Sequence, residues 1–196
     1  MNNIEVELRS QFNRAKYEEL YRLFQHQAEQ LGVDDKDMHF FIYPDKLLKV
    51  VNNLAKKTAK ISLKLNKIGL AGNDFEEHEV FIAPEQVAET ITIFKLIAGT
   101  EAEYQHTFNQ RDNYNYKGVE IALKWSNNWG YHLELEKMVE IQEDVTAAEQ
   151  EMQKLAEELG IRIMTQEELK ELTDRIDAQA REGKVVEQEI PVRPEL

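Results

Sequence analysis

The chain has 196 residues, of which 42% are hydrophobic and 31% charged. This excludes a wholly disordered chain and is enough for one domain with its own core. With 24 Lys and Arg against 37 Asp and Glu, the net charge is −13, which argues against non-specific binding to nucleic acid or to an anionic membrane. The sequence contains no Cys, so disulfides, thiolate metal sites and Cys nucleophiles are all removed. The opening M-N-N-I-E-V-E lacks a basic and apolar leader, and no apolar run approaches membrane-spanning length. A soluble, cytoplasmic protein is the expectation. The acidity is uneven: residues 1–139 have a net charge of −4 and residues 140–196 one of −9. The nearly balanced larger part leaves room for a local basic pocket that takes an anion.

Ile4, Val6 and Leu8 alternate with Glu5, Glu7 and Arg9, which predicts a strand. Over residues 14–31 the period changes. Tyr17, Leu20, Tyr21, Phe24, Ala28 and Leu31 form one helical face, and Gly32 reads as its stop. Met38–Tyr43, Leu47–Val51 and residues 59–65 read as strands, the last with Lys60, Ser62 and Lys64 on one face. Phe75–Ala83 is a further strand. Pro84 suits a first helical turn, and Val87, Ile91, Phe94 and Ala98 carry a helical stripe to Gly99. Residues 103–111 and 118–125 are strands joined by a polar turn around Asn113 and Asn115, and Tyr131–Val139 is the last strand. Thr146 with Glu149 and Thr165 with Glu168 are two capping boxes, each followed by an apolar helical face. Val185–Leu196 reads as a loosely held end.

Three pairs of carboxylates stand at strand spacing: Glu5 and Glu7, Glu77 and Glu79, Glu134 and Glu136. Residues two apart on a strand lie about 6–7 Å from each other on one face. If the three strands share an interior, six carboxylates line it, and their mutual repulsion calls for cations. Hard oxygen donors without Cys point to Mg2+ or Mn2+. Arg9, Lys49, Lys60, Lys64 and Arg111 lie on extended segments as well. Carboxylates mixed with Lys and Arg suit a metal-bound polyphosphate. The five His residues (His26, His39, His78, His106, His132) show no metal-finger spacing, and His78 and His132 are read as outward or packing residues. Trp125 and Trp129 read as core closing one end of a barrel, or as a platform for a base at its mouth. Phosphate-loop, dinucleotide-loop and nucleophile-elbow motifs are missing from the sequence.

The opening E-V-E-L-R resembles the E-x-E-x-K signature of the CYTH superfamily, the triphosphate tunnel metalloenzymes. Gly130 to Glu136, G-Y-H-L-E-L-E, is similar to that family's final G-x-x-x-E-x-E strand. The order of helices, basic strands and acidic strands over residues 2–160 also matches. The resemblance implies an α+β fold: an antiparallel eight-stranded β-barrel with packed helices, one domain over residues 1–183 with a tail at 184–196. It implies a metal-dependent hydrolase acting on inorganic tripolyphosphate, thiamine triphosphate or a nucleoside triphosphate. The alternatives are a class IV-type adenylate cyclase making cyclic AMP from ATP, or a catalytically weak protein that binds a phosphorylated ligand. By the same resemblance Glu5, Glu7, Glu134 and Glu136 are catalytic metal ligands, joined by Glu77 and Glu79. Arg9, Lys49, Lys64, Arg111 and Lys124 are phosphate-binding residues. The expected partner is a small triphosphate, with a homodimer admitted. The sequence departs from the family pattern at Val51 and Asn109, where cations are usual, at Arg9, where Lys is usual, and at Lys124, where an acidic residue is often found.

Overall fold

A computed structural model of the protein describes residues 4–65, 76–140, 143–181 and 190–195. The described residues form nine strands and four helices: β1 (Ile4–Gln11), α1 (Arg14–Gln27), β2 (Glu29–Val33), β3 (Lys36–Ile42), β4 (Lys46–Asn53), β5 (Thr58–Leu65), β6 (Glu76–Ile82), α2 (Val87–Ala98), β7 (Glu103–Tyr116), β8 (Val119–Ser126), β9 (Gly130–Val139), α3 (Glu143–Glu158) and α4 (Gln166–Arg181).

Local chemistry sets most of these boundaries. Asn13 caps α1 by accepting the Lys16 N–H at 3.0 Å, which satisfies one of the helix's orphan donors. The helix stops at Gln27, four residues short of the expected end at 31. Ala28 turns to an extended conformation with φ −110°, and the segment around Gly32 becomes β2 instead of a helix stop. The expected turn at Asn113 and Asn115 is also displaced. Both asparagines lie inside β7, and the chain reverses at Lys117 and Gly118, whose φ values are 54° and 80°. Two consecutive positive φ angles match the twist of a two-residue hairpin. The second capping box forms: Glu168 N donates to Thr165 Oγ1 at 3.2 Å and Thr165 N donates to Glu168 Oε2 at 2.8 Å. The first does not cap, because α3 already begins at Glu143 and Thr146 lies within it.

The expected closed eight-stranded barrel is not what forms. The sheet has nine strands in the hydrogen-bonded order β1-β9-β8-β7-β3-β4-β5-β6, with β2 paired to β7 off that path. Among the described residues β6 and β1 are not paired with each other, so the sheet is open. Period-two alternation fixes which face of a strand is polar, whereas closure needs the two end strands to exchange hydrogen bonds. An open sheet must protect its ends, and β6 carries charge there in Glu79, beside an exposed Phe81. The fold class remains α+β.

The chain divides into two compact units. One comprises Met1–Val33, Gln110–Asp174 and Gln188–Leu196, the other Asp34–Asn109 and Arg175–Glu187. In the first unit Val6 on β1, Val119, Ile121 and Leu123 on β8, and Leu133 and Leu135 on β9 are buried. They form one core with Tyr17, Leu20, Tyr21 and Phe24 of α1 and Ala148, Met152, Leu155 and Leu159 around α3. Both helices therefore cover the apolar face of the sheet and leave the alternate positions for polar side chains. Near the C-terminus, Gln110 Nε2 donates to the Pro191 carbonyl at 2.9 Å, and Arg193 Nε lies 2.9 Å from Oδ2 of the buried Asp112. Residues 190–195 are thus tied to β7, while 185–189 of the expected loose end lie outside the described residues. In the second unit Phe41, Val50 and Ala59 form a smaller core with Val87, Phe94 and Ala98 at α2.

Phe24 is fully buried and packs 5.3 Å from Tyr114 and 5.6 Å from Tyr116, centroid to centroid. Phe24→Ala should cost about 3–5 kcal/mol of stability through lost burial and the cavity left behind, measured by denaturant unfolding.

Candidate functional site

The strand register assembles a charged face in the first unit. Across β1 and β9, Glu7 stands opposite Glu136 and Arg9 opposite Glu134. Across β8 and β9, Ala122 stands opposite Glu134 and Lys124 opposite His132. These are the positions that alternate with the apolar residues under α1 and α3. Carboxylate oxygens of Glu7, Glu134 and Glu136 all lie within 4.8 Å of one another.

Three cations are threaded through the three carboxylates. Arg9 Nη2 donates to Glu7 Oε2 at 2.8 Å, and its Nε lies 3.4 Å from Glu134 Oε1. Lys124 Nζ donates to both oxygens of Glu134, at 2.9 and 2.8 Å. Arg111 Nη2 donates to Glu136 Oε1 at 2.9 Å, Nη1 lies 3.5 Å from Glu134 Oε2, and Nε donates to Asn113 Oδ1 at 2.6 Å. Trp129 borders the group: the Arg9 guanidinium carbon sits 5.8 Å from its ring centre, and its ring lies 5.3 Å from that of His132.

The environment separates the carboxylates. Burial works against ionisation of Glu134, but Lys124, His132 and Arg9 together outweigh it and bring its pKa down to about 2. Glu7 moves the other way. Burial raises its pKa, and Glu134 beside it adds to the rise against the pull of Arg9. Burial, with Lys124 nearby, lowers His132 to about 4, so this imidazole is neutral at pH 7. Glu7 Oε1 is buried and accepts no hydrogen bond, although Arg9 Nε is 2.7 Å away, because that N–H is not directed at it. A buried carboxylate oxygen that is ion-paired but accepts no directed hydrogen bond, in a cluster of oxygen ligands, is compatible with a divalent cation. The cluster is therefore compatible with a divalent metal site, with Lys124 already paired to Glu134.

The other expected residues are placed differently. Glu5 lies on β1 opposite Met138, and its side chain is outside the described residues, as is that of Glu77. Glu79 is exposed and ion-paired with Lys60 in the second unit. Lys49, opposite Ser62, and Lys64, opposite Glu77, also belong to that unit. Their positions alternate with Val50 and Leu63, on the face of β4 and β5 away from the α2 core. His132, read from sequence as outward or packing, is buried on the glutamate face. Trp125 is buried, as core packing predicts. One constellation was missed altogether. Asp37 and His39 of β3 meet His106 of β7, with ligand atoms again within 4.8 Å. The spacing of Asp37 and His39 was visible, but the third member depends on a pairing across 67 residues of chain.

Neither a family model nor a curated protein sequence matches the chain. Solved structures do. A protein from Pyrococcus horikoshii matches with a TM-score of 0.55 at 21% identity, over 88% of this chain and 99% of its own. A candidate adenylate cyclase from Vibrio parahaemolyticus matches with a TM-score of 0.56 at 14% identity, over 89% of this chain and 99% of its own. Another, from Bacillus halodurans, matches with a TM-score of 0.51 at 15% identity, over 84% and 95%. The likeness is one of fold.

The Lys124–Glu134 pair makes stability depend on pH. A carboxylate whose folded pKa is about 2, against an ordinary 4.5, contributes stability that is complete above 4.5 and lost as the pH falls toward 2. Lys124→Met removes the ion that holds Glu134 down. The variant should be less stable than wild type by about 3 kcal/mol at pH 7, with the gap narrowing below pH 4.5. Thermal melts from pH 7 to pH 2.5 check both the size and the direction.

Proposed function

We propose that the first unit binds a small triphosphate together with Mg2+ or Mn2+ and hydrolyses its terminal phosphoanhydride. The observation that carries this reading is the interleaving of Glu7, Glu134 and Glu136 with Arg9, Arg111 and Lys124 on one sheet face. Glu7, Glu134 and Glu136 hold the cation in this proposal, with Glu5 two positions earlier on β1 as a further oxygen ligand. When bound, the cation supplies charge neutralisation at the phosphate oxygens. Three carboxylates and three cations cancel, so the site accepts an anion only together with positive charge. Arg9, Arg111 and Lys124 exchange their carboxylate partners for phosphate oxygens, for which a guanidinium fork is well shaped. Water attacks the terminal phosphorus, the anhydride bond breaks, and orthophosphate leaves with a diphosphate.

The second reading is cyclisation, in which a ribose hydroxyl attacks instead of water and pyrophosphate leaves. It is favoured by the fold likeness to two candidate adenylate cyclases. Trp129, beside Arg9, offers a ring for a base to stack on. Hydrolysis is preferred because it requires no dedicated pocket for the base.

Incubation with tripolyphosphate, thiamine triphosphate, ATP and GTP in Mg2+, then Mn2+, distinguishes the readings. Orthophosphate with a diphosphate supports hydrolysis. Pyrophosphate with a cyclic nucleotide supports cyclisation, and a rise in melting temperature without product supports binding alone. A protein that neither turns over nor is stabilised by any of them refutes the proposal. Glu136→Gln should weaken Mn2+ binding in calorimetry with the fold retained. Arg111→Ala should weaken tripolyphosphate binding by about 2–3 kcal/mol, the scale of a charged hydrogen bond whose partner is lost, in titrations at fixed ionic strength.

A further inference from the structure

We propose that Asp37, His39 and His106 form a second metal site, in the second unit, for a divalent first-row transition ion of the zinc type. The proposal stands independently of the function of the charged face. His39 and His106 are directly opposite across β3 and β7, so their side chains leave the sheet on the same face. Their rings stack with centroids 4.5 Å apart and planes 7° from parallel. Asp37, two residues before His39, shares that face. Its two oxygens address the two rings: Oδ1 lies 2.5 Å from His106 Nε2 and Oδ2 lies 3.4 Å from His39 Nε2. One carboxylate and two imidazoles therefore offer ligand atoms within 4.8 Å of one another, and all three come from paired strands, which fix their spacing.

Without a metal, protons on the ring nitrogens hold this arrangement together. A divalent ion taken up among these ligands replaces those protons and takes the nitrogen lone pairs, with a ring turning out of the stack to direct its lone pair at the ion. The outer partner is compatible with both states. Tyr104 Oη lies 2.7 Å from His39 Nδ1, and a phenol donates to Nδ1 when Nε2 carries the proton or accepts from Nδ1–H when Nε2 binds a metal. Such an outer hydrogen bond orients a ligating imidazole and selects its tautomer. Tyr104 is itself held by stacking on His39 and by Lys95, whose Nζ is 3.9 Å from the ring centre.

The donor set determines the class of ion. Two imidazoles and one carboxylate suit zinc, iron(II), cobalt(II) or nickel(II), whereas Mg2+ prefers oxygen alone. The His39 side chain is only 10% exposed, but those of Asp37 and His106 are 28% and 38% exposed. An ion therefore has a path in, and three protein ligands leave it an open coordination position. Lys49 and Lys64 occupy the alternate positions of the neighbouring strands, so their charges are on the other face.

Calorimetry of the full chain with ZnCl2, and NMR of its 15N-labelled imidazoles, test the site. One equivalent of Zn2+ should shift the ring-nitrogen resonances of both His39 and His106, and Co2+ should give visible absorption bands. Losing an outer hydrogen bond costs about 10–100-fold in metal affinity. Tyr104→Phe should therefore weaken Zn2+ about tenfold, and His106→Gln about a hundredfold or more. Glu134→Gln should leave the Zn2+-induced shifts of both imidazoles unchanged, which separates this site from the carboxylate cluster. Unmoved His39 and His106 resonances at stoichiometric Zn2+ would overturn the proposal, as would Zn2+ affinity unchanged by His106→Gln. Should His106→Gln fail to fold, the wild-type imidazole resonances decide the question alone.

Discussion

The register of β1 against β9 places Glu7 directly opposite Glu136 and leaves Glu134 as their neighbour. Like charges facing each other across strands oppose sheet formation, and burial sharpens the conflict. The pairing of the two strands at this register depends on positive charge supplied by Arg9 of β1, Arg111 of β7 and Lys124 of β8. The apolar face explains why the register is held despite the repulsion. A shift of one residue would bring Leu133 and Leu135 out of the core shared with α1 and α3, and the whole apolar set would turn outward. Hydrophobic burial thus sets the register, and the charges on the other face accommodate themselves to it.

That division explains what the sequence revealed. Alternation in I-E-V-E-L-R and H-L-E-L-E located β1, β9 and their glutamates, because one strand's faces can be read from its own residues. That placed Glu7, Arg9, Glu134 and Glu136, whereas Arg111 and Lys124 were joined to them only through the family resemblance and reach the group from β7 and β8. Closure was not legible, since it depends on whether β6 and β1 meet, and neither strand's pattern encodes that. The β2 strand was hidden for another reason. Leu31 fits the helical stripe of α1, and only the change of backbone at Ala28 separates the two elements. The Asp37–His39–His106 group was hidden because its third member arrives through strand pairing.

The two clusters differ in the chemistry they offer. The first is built of oxygens and balanced by Arg9, Arg111 and Lys124, so an ion entering it would compete with those cations for the carboxylates. The second is mainly nitrogen, has a neutral tyrosine as its outer partner, and is built from adjacent strands of one sheet. Selectivity between them follows from ligand type more than from total affinity.

The ion pair between Arg193 and Asp112 has a consequence for biosynthesis. Asp112 is buried beside the tyrosines of α1, and burial together with this carboxylate raises the pKa of both Tyr17 and Tyr21. The guanidinium that meets Asp112 is 81 residues further along the chain. A ribosome therefore delivers the acid well before its counterion. The strands and helices of the first unit assemble around a carboxylate that acquires this partner only after a further 81 residues have been made, so consolidation around Asp112 follows the synthesis of the sheet that holds it.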